Sequence, residues 1–141
     1  MEKERKIISW LRRDAKSSLS LISKNTNIPI STIHDNVKKL ERDNTVFRYV
    51  ALVDFNKLGY NHHSKITLKT ENKKELTEFL RNHSAVNSIY EINHGWDLMI
   101  ETYHKNIKEY LTFTDFLKIN FNITAIQEFQ VIDQIQKEDF I

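Results

Sequence analysis

The spacing of apolar residues changes once, near residue 45, and that change limits what the chain can become. Before it, apolar side chains recur at helical intervals: Ile7, Ile8 and Leu11, then Leu19 and Ile22, then Ile33, Val37 and Leu40. Such spacing puts one apolar stripe on each of three short helices. After it, stretches rich in β-branched and aromatic residues take turns with helical stripes. At 141 residues, a chain divided in this way has the length for two small units.

In the first part the breaks are as informative as the helices. The first helix runs from about Lys3 to Arg13 and is interrupted by Asp14-Ala15-Lys16-Ser17. Ser18 can cap the second helix, which ends near Asn27, a residue type that tolerates the left-handed conformation of helix ends. Pro29, the single proline, has its φ preset for a helix start. A third helix then runs from Pro29 or Ser31 to Asp43. Two helices joined by a turn of about three or four residues have helix-turn-helix spacing. TVFRYVALVDF reads as two short strands turning near Arg48 and Tyr49, a wing.

The third helix has a polar face away from its Ile33/Val37/Leu40 stripe: Ser31, Thr32, Asp35, Asn36 and Lys39. An α-helix fits the major groove of B-DNA, where Asn pairs with adenine, Ser and Thr with several bases, and Lys with guanine or phosphate. Lys16, Lys38, Lys39, Arg42 and Arg48 can meet phosphates, which position a protein without reading sequence. Residues 1–54 hold 11 Lys or Arg against 7 Asp or Glu, a net +4, and the remainder is −2. A basic first third suits a polyanionic partner.

The second part alternates strand and helix. HHSKITLKT puts His62, Ser64, Ile66 and Leu68 on one face and Lys65, Thr67 and Lys69 on the other. Leu76, Phe79 and Leu80 mark a helix. VNSIYEIN and WDLMIETY are two strands joined by a tight turn at His94-Gly95. A second helix takes Ile107, Tyr110, Leu111 and Leu117 inward, and ITAIQEFQVIDQI is a long final strand. The order βαββαβ predicts a ferredoxin-like sheet covered on one face by two helices. Its open face needs a partner, which a second copy supplies. The predicted organisation is α+β: a winged helix-turn-helix domain over 1–54, a linker over 55–60 containing Gly59, and a ferredoxin-like domain over 61–141.

With these motifs in order, the chain resembles the Lrp/AsnC ("feast or famine") transcription regulators over essentially its full length. The motifs are Asp14-Ala15-Lys16, Ser31-Thr32-Ile33, Leu40-Glu41, Asn44-Thr45-Val46 and the continuation YVALVDFNKLGY with Leu58-Gly59. The resemblance implies binding to an inverted repeat in double-stranded DNA and a homodimer that assembles up to an octamer. It also implies a small amino-acid effector bound between dimers. The family's Gly-x-Tyr-Asp turn at that pocket corresponds here to His94, Gly95, Trp96 and Asp97. Ile126 and Glu128 stand where threonines are frequent. Asp97 would meet the effector's ammonium group, and the turn's N–H groups its carboxylate. Pro29 replaces the usual capping serine, Asn36 a common arginine, and Asn27 and Asn44 two glycines.

Other classes have less support. With no cysteine, thiol catalysis, disulfides and cysteine-bound zinc are excluded. No apolar run approaches the roughly 20 residues of a membrane span, and the charged N-terminus is unlike a secretory leader, so a cytoplasmic protein is expected. His62 and His63 point to opposite faces of a strand and no H-x-x-x-H pair occurs, which disfavours a metal site. No phosphate-binding loop or dinucleotide fingerprint is present, and no cofactor is expected. The alternative from another class is an enzyme resembling the sirohaem decarboxylases, which share the two-domain build; His94 or His104 would then be catalytic. A third reading is a sensor whose winged helix has lost DNA binding.

Overall fold

The computed structural model describes residues 1–141. It contains two compact units, residues 1–52 with 135–141, and residues 53–134. The first holds α1 (Glu2–Arg13), α2 (Leu19–Thr26) and α3 (Ile30–Arg42). Their stripes meet in a small core in which Ile7, Ile22, Ile28 and Ile33 are buried and Trp10, Leu11, Leu19 and Val37 pack around them. Burying each such side chain is worth about 1.5–3 kcal/mol, enough to offset much of the entropy cost of short helices.

The wing departs from expectation. Residues 47–54 form no strand, although Phe47, Val50 and Leu52 are exposed. A two-residue hairpin turn needs positive φ at its centre, which Gly, Asn and Asp provide and Arg48-Tyr49 does not. The segment is therefore unpaired within the chain. The turn that begins it does form: Asn44 is left-handed at φ 61, and the Val46 N–H closes on the Leu40 carbonyl at 3.0 Å.

The second unit is the βαββαβ arrangement, β1 (His62–Thr70), α4 (Lys73–Arg81), β2 (Val86–Glu91), β3 (Leu98–His104), α5 (Ile107–Asn120) and β4 (Ile123–Gln130), preceded by a 3₁₀ turn at Phe55–Leu58. The sheet order is β2-β3-β1-β4, every pair antiparallel. Strand alternation sets the two faces: Ile66, Leu68, Leu98 and Ile100 are buried against Leu76, Leu80, Phe113 and Leu117 of the helices. Lys65 and Lys69 are exposed on the opposite face.

Two further expectations change. In α5 the inward residues are Tyr110, Phe113, Thr114 and Leu117, while Ile107 and Leu111 are 56% and 49% exposed. This helix carries apolar residues on all sides, Phe116 and Ile119 included, so its period does not identify the buried face. The final strand stops at Gln130, opposite Ser64 of β1. One more bond, from Val131 N–H to the His63 carbonyl at 2.8 Å, ends the ladder. No helix is long and apolar enough to cross a membrane.

Candidate nucleic-acid interface and effector turn

The link between α2 and α3 is built from local chemistry. The Ser18 hydroxyl accepts from the Leu21 N–H at 3.1 Å and caps α2. Asn27 ends that helix in the left-handed region at φ 58, ψ 26. The Ser23 hydroxyl then donates to the Ile28 carbonyl at 2.6 Å, and Ile28 is buried in the core. Pro29 is the N-cap of α3 and supplies no side-chain acceptor. The N–H groups of that first turn are thus left to solvent or to an anion, and a helix N-terminus favours negative charge.

On α3, Ser31, Asp35, Lys38 and Arg42 are all exposed and lie at positions i, i+4, i+7 and i+11, one continuous outward ridge. Thr32 and Asn36 are half-buried at its flank. The Asn36 amide donates to the Thr32 carbonyl at 2.9 Å, so one of its donors is engaged in the free protein. The Lys39 ammonium lies 3.2 Å from a Glu4 carboxylate oxygen on α1, a partner that sequence spacing alone could not reveal. Lys16 and Arg48 are exposed. Where α3 ends, Asp43 accepts from both the hydroxyl and the N–H of Thr45, at 2.7 and 3.1 Å, and these bonds hold its carboxyl below the usual range. All nine candidate DNA-facing residues lie in the first unit.

The turn at the other candidate site is a two-residue hairpin with His94 at φ 58 and Gly95 at φ 89. Positive φ at both centres is the hairpin geometry that glycine accommodates without strain. His94 is exposed and Trp96 half-buried. Asp97 is tied to β1 twice: its N–H donates to the Leu68 carbonyl at 2.9 Å, and its Oδ2 accepts from the Thr70 N–H at 2.9 Å. The carboxylate thus has one oxygen committed to the fold. Glu128 accepts from the Tyr110 hydroxyl at 2.6 Å, on the helix side of β4 with Ile126. That bond follows burial as the second cause raising the Tyr110 phenol. His94 and His104 are not brought together; β3 separates them.

Residues 2–46 match the family model described as winged helix-turn-helix DNA-binding. The HTH-type transcriptional regulator FL11 of Pyrococcus abyssi is 32% identical over 116 residues, 81% of this chain and 77% of that protein. An AsnC family transcriptional regulator from Agrobacterium tumefaciens superposes with a TM-score of 0.83 over 95% of this chain and 91% of its own, at 20% identity. The chain belongs to the Lrp/AsnC family of transcription regulators. As an Lrp/AsnC protein it is a DNA-binding regulator, with a winged helix-turn-helix followed by a ferredoxin-like sheet and helices. The same two-part fold recurs in a transcriptional regulator from Neisseria meningitidis, solved as a complex with L-Met. Its TM-score is 0.85 over 97% of this chain and 92% of its own, at 16% identity.

Proposed function

We propose that this Lrp/AsnC regulator is a homodimer that reads an inverted repeat through two copies of α3 and responds to a small amino acid at the His94–Asp97 turn. The observation that carries the DNA reading is the exposed ridge of Ser31, Asp35, Lys38 and Arg42 on the helix after the turn. Ser31, Thr32, Asp35 and Asn36 lie nearest its N-terminus, the part that reaches base edges in helix-turn-helix complexes. Lys38, Lys39 and Arg42, with Lys16 and Arg48, serve the phosphates. Asn36 must release its bond to the Thr32 carbonyl to contact a base, so part of its readout energy offsets that loss.

Two surfaces support the dimer. The open sheet face presents Tyr90 and Phe129, 59% and 51% exposed, and residues 47–54, with Phe47, Val50 and Leu52 exposed, pair with no strand. Unpaired backbone with apolar side chains is a template for strand addition, and a second copy meets it symmetrically. The effector reading rests on Asp97, which commits one oxygen to the Thr70 N–H, and on the L-Met complex of the Neisseria relative. Selection of bound DNA from a random pool tests the central claim. Enrichment of an inverted repeat with half-sites about one helical turn apart supports it, and a pool without enrichment refutes it.

A further inference from the structure

The second unit contains a cavity of about 1110 Å³ that the DNA and effector readings leave unused. It lies at the end of the sheet opposite the His94-Gly95 turn, where β2 begins and β3 ends. Its wall is an aromatic chain: His104 packs on Phe113 with ring centres 5.1 Å apart, Phe113 on His83 at 4.9 Å, His83 on Phe79 at 5.5 Å, and Phe79 stacks on Phe116 at 5.1 Å. Phe55 closes another side. Cavities of roughly 300–1,000 Å³ with mostly apolar walls and a few polar groups are the usual form of small-molecule sites.

The polar groups of this cavity are specific. His104 is 4% exposed, and its Nε2 has no hydrogen-bond partner within the protein. That nitrogen is itself fully buried, so a molecule in the cavity meets the His104 ring and not this atom. The His83 Nδ1 accepts from the Ala85 N–H at 3.1 Å, which leaves its Nε2 as the donor. Exposed Lys105 and Lys108 also line the cavity, and neither forms an ion pair. The one lining carboxylate, Glu109, accepts from the Lys105 N–H at 3.2 Å while its own N–H donates to the Asn106 side chain at 2.9 Å. The Asn106 side chain thus caps α5, and the bond to Lys105 engages the acid locally. Burial lowers the pKa of His83, and that of His104 to about 4. The free charge at the mouth is therefore positive and the interior is neutral.

We propose that this cavity is a second ligand site, distinct from the effector turn, that takes a carboxylate with a broad apolar body. Lys105 and Lys108 meet the carboxylate at the mouth, and the phenylalanine walls with the His104 ring take the body. The volume exceeds what a free amino acid fills, which separates the two ligand classes.

The test uses the full chain and 2-naphthoate as the probe, followed through the His104 imidazole signals in long-range ¹H–¹⁵N spectra. Saturable binding of one probe per chain, with the His104 signals shifting, is expected. The uncharged analogue 2-naphthalenemethanol should bind about tenfold more weakly, and a Lys105→Gln, Lys108→Gln double variant should erase that preference. Thr112→Trp, at an exposed position lining the cavity, should abolish binding, whereas Asp97→Asn should leave it intact. The proposal is overturned if the probe fails to saturate in the millimolar range, if binding survives Thr112→Trp with His104 unmoved, or if acid and alcohol bind equally. None of these outcomes bears on DNA binding or on the turn.

Discussion

The Thr70 N–H donates to Asp97 Oδ2 at 2.9 Å, joining the end of β1 to the residue just before β3. Asp97 therefore carries two duties, one in the sheet and one proposed for an effector. The two substitutions at this position separate them. Asp97→Asn keeps an oxygen for Thr70 but loses the negative charge. It should fold and bind DNA as before while losing its response to amino acids, because removing one charge-assisted bond costs about 1.5–3 kcal/mol. Asp97→Ala also leaves the Thr70 N–H unpaired and should lower folding stability by about 1–3 kcal/mol. Urea denaturation and DNA shift assays, with the twenty amino acids screened by Trp96 fluorescence, check both. A wild-type-like response in Asp97→Asn would remove Asp97 from the effector site.

On α3 the salt dependence of DNA binding should sort the basic residues. Lys38→Ala and Arg42→Ala, on the exposed ridge, should each reduce the salt slope by about one ion. Lys39 begins in an ion pair with Glu4. Its loss should matter less, and Glu4→Gln should strengthen binding to all sequences by freeing it. Filter binding at several salt concentrations reads this; a weaker Glu4→Gln complex would place Lys39 off the phosphates.

Asn36→Ala should weaken specific binding by about 1–3 kcal/mol and spare non-specific binding. The half-buried amide and its bond to Thr32 place the expected value at the low end. Equal loss on all sequences would assign Asn36 to positioning the helix.

The open sheet face should hold two copies together. Met99 lies on that face in β3, level with Thr67 of β1 and Tyr90 of β2, so Met99→Lys places a charge near its middle. The wild type should sediment as a dimer at micromolar concentration and the variant as a monomer. A dimer in both would move the interface elsewhere.

His104 gives a pH prediction with a definite sign. Burial lowers its pKa from 6.5 to about 4, so the unfolded chain binds its proton more readily. Its contribution is full above about pH 6.5 and declines as pH falls toward about 4. Between pH 7.5 and 5.5 the folded state should lose roughly 1 kcal/mol from this residue. His104→Phe should flatten that part of the stability curve, as measured by denaturant titration at both pH values. An unchanged slope would show that other groups control it.

Local signals in the sequence carried much of the fold. Ser18, Asn27 and Pro29 mark helix boundaries through their own backbone preferences, and the alternation in HHSKITLKT assigns both faces of β1. The inward face of α5 was not legible, because Ile107, Leu111, Phe116 and Ile119 give it apolar residues all round. Residues 47–54 form no strand despite their β-branched and aromatic content, because composition is not itself a pairing partner. At the candidate DNA-facing site, the exposure of Ser31, Asp35 and Lys39 follows from the helical period, whereas Thr32 and Asn36 of the same polar face are half-buried. The pairing of Lys39 with Glu4, like the Thr70 bond to Asp97, joins residues distant in sequence and depends on packing that no local spacing encodes. The cavity draws Phe55, Phe79, His104 and Phe113 from four separate segments for the same reason.

Left-handed corners at Asn27, Asn44 and Asn122 have an effect outside the native contacts altogether. Glycine at such a corner is free of steric cost, but it also enlarges the set of conformations open to the denatured chain. Asparagine tolerates the same corner and leaves that set smaller. Three bends of this protein are therefore partly biased before folding begins, and its ordering entropy is correspondingly reduced.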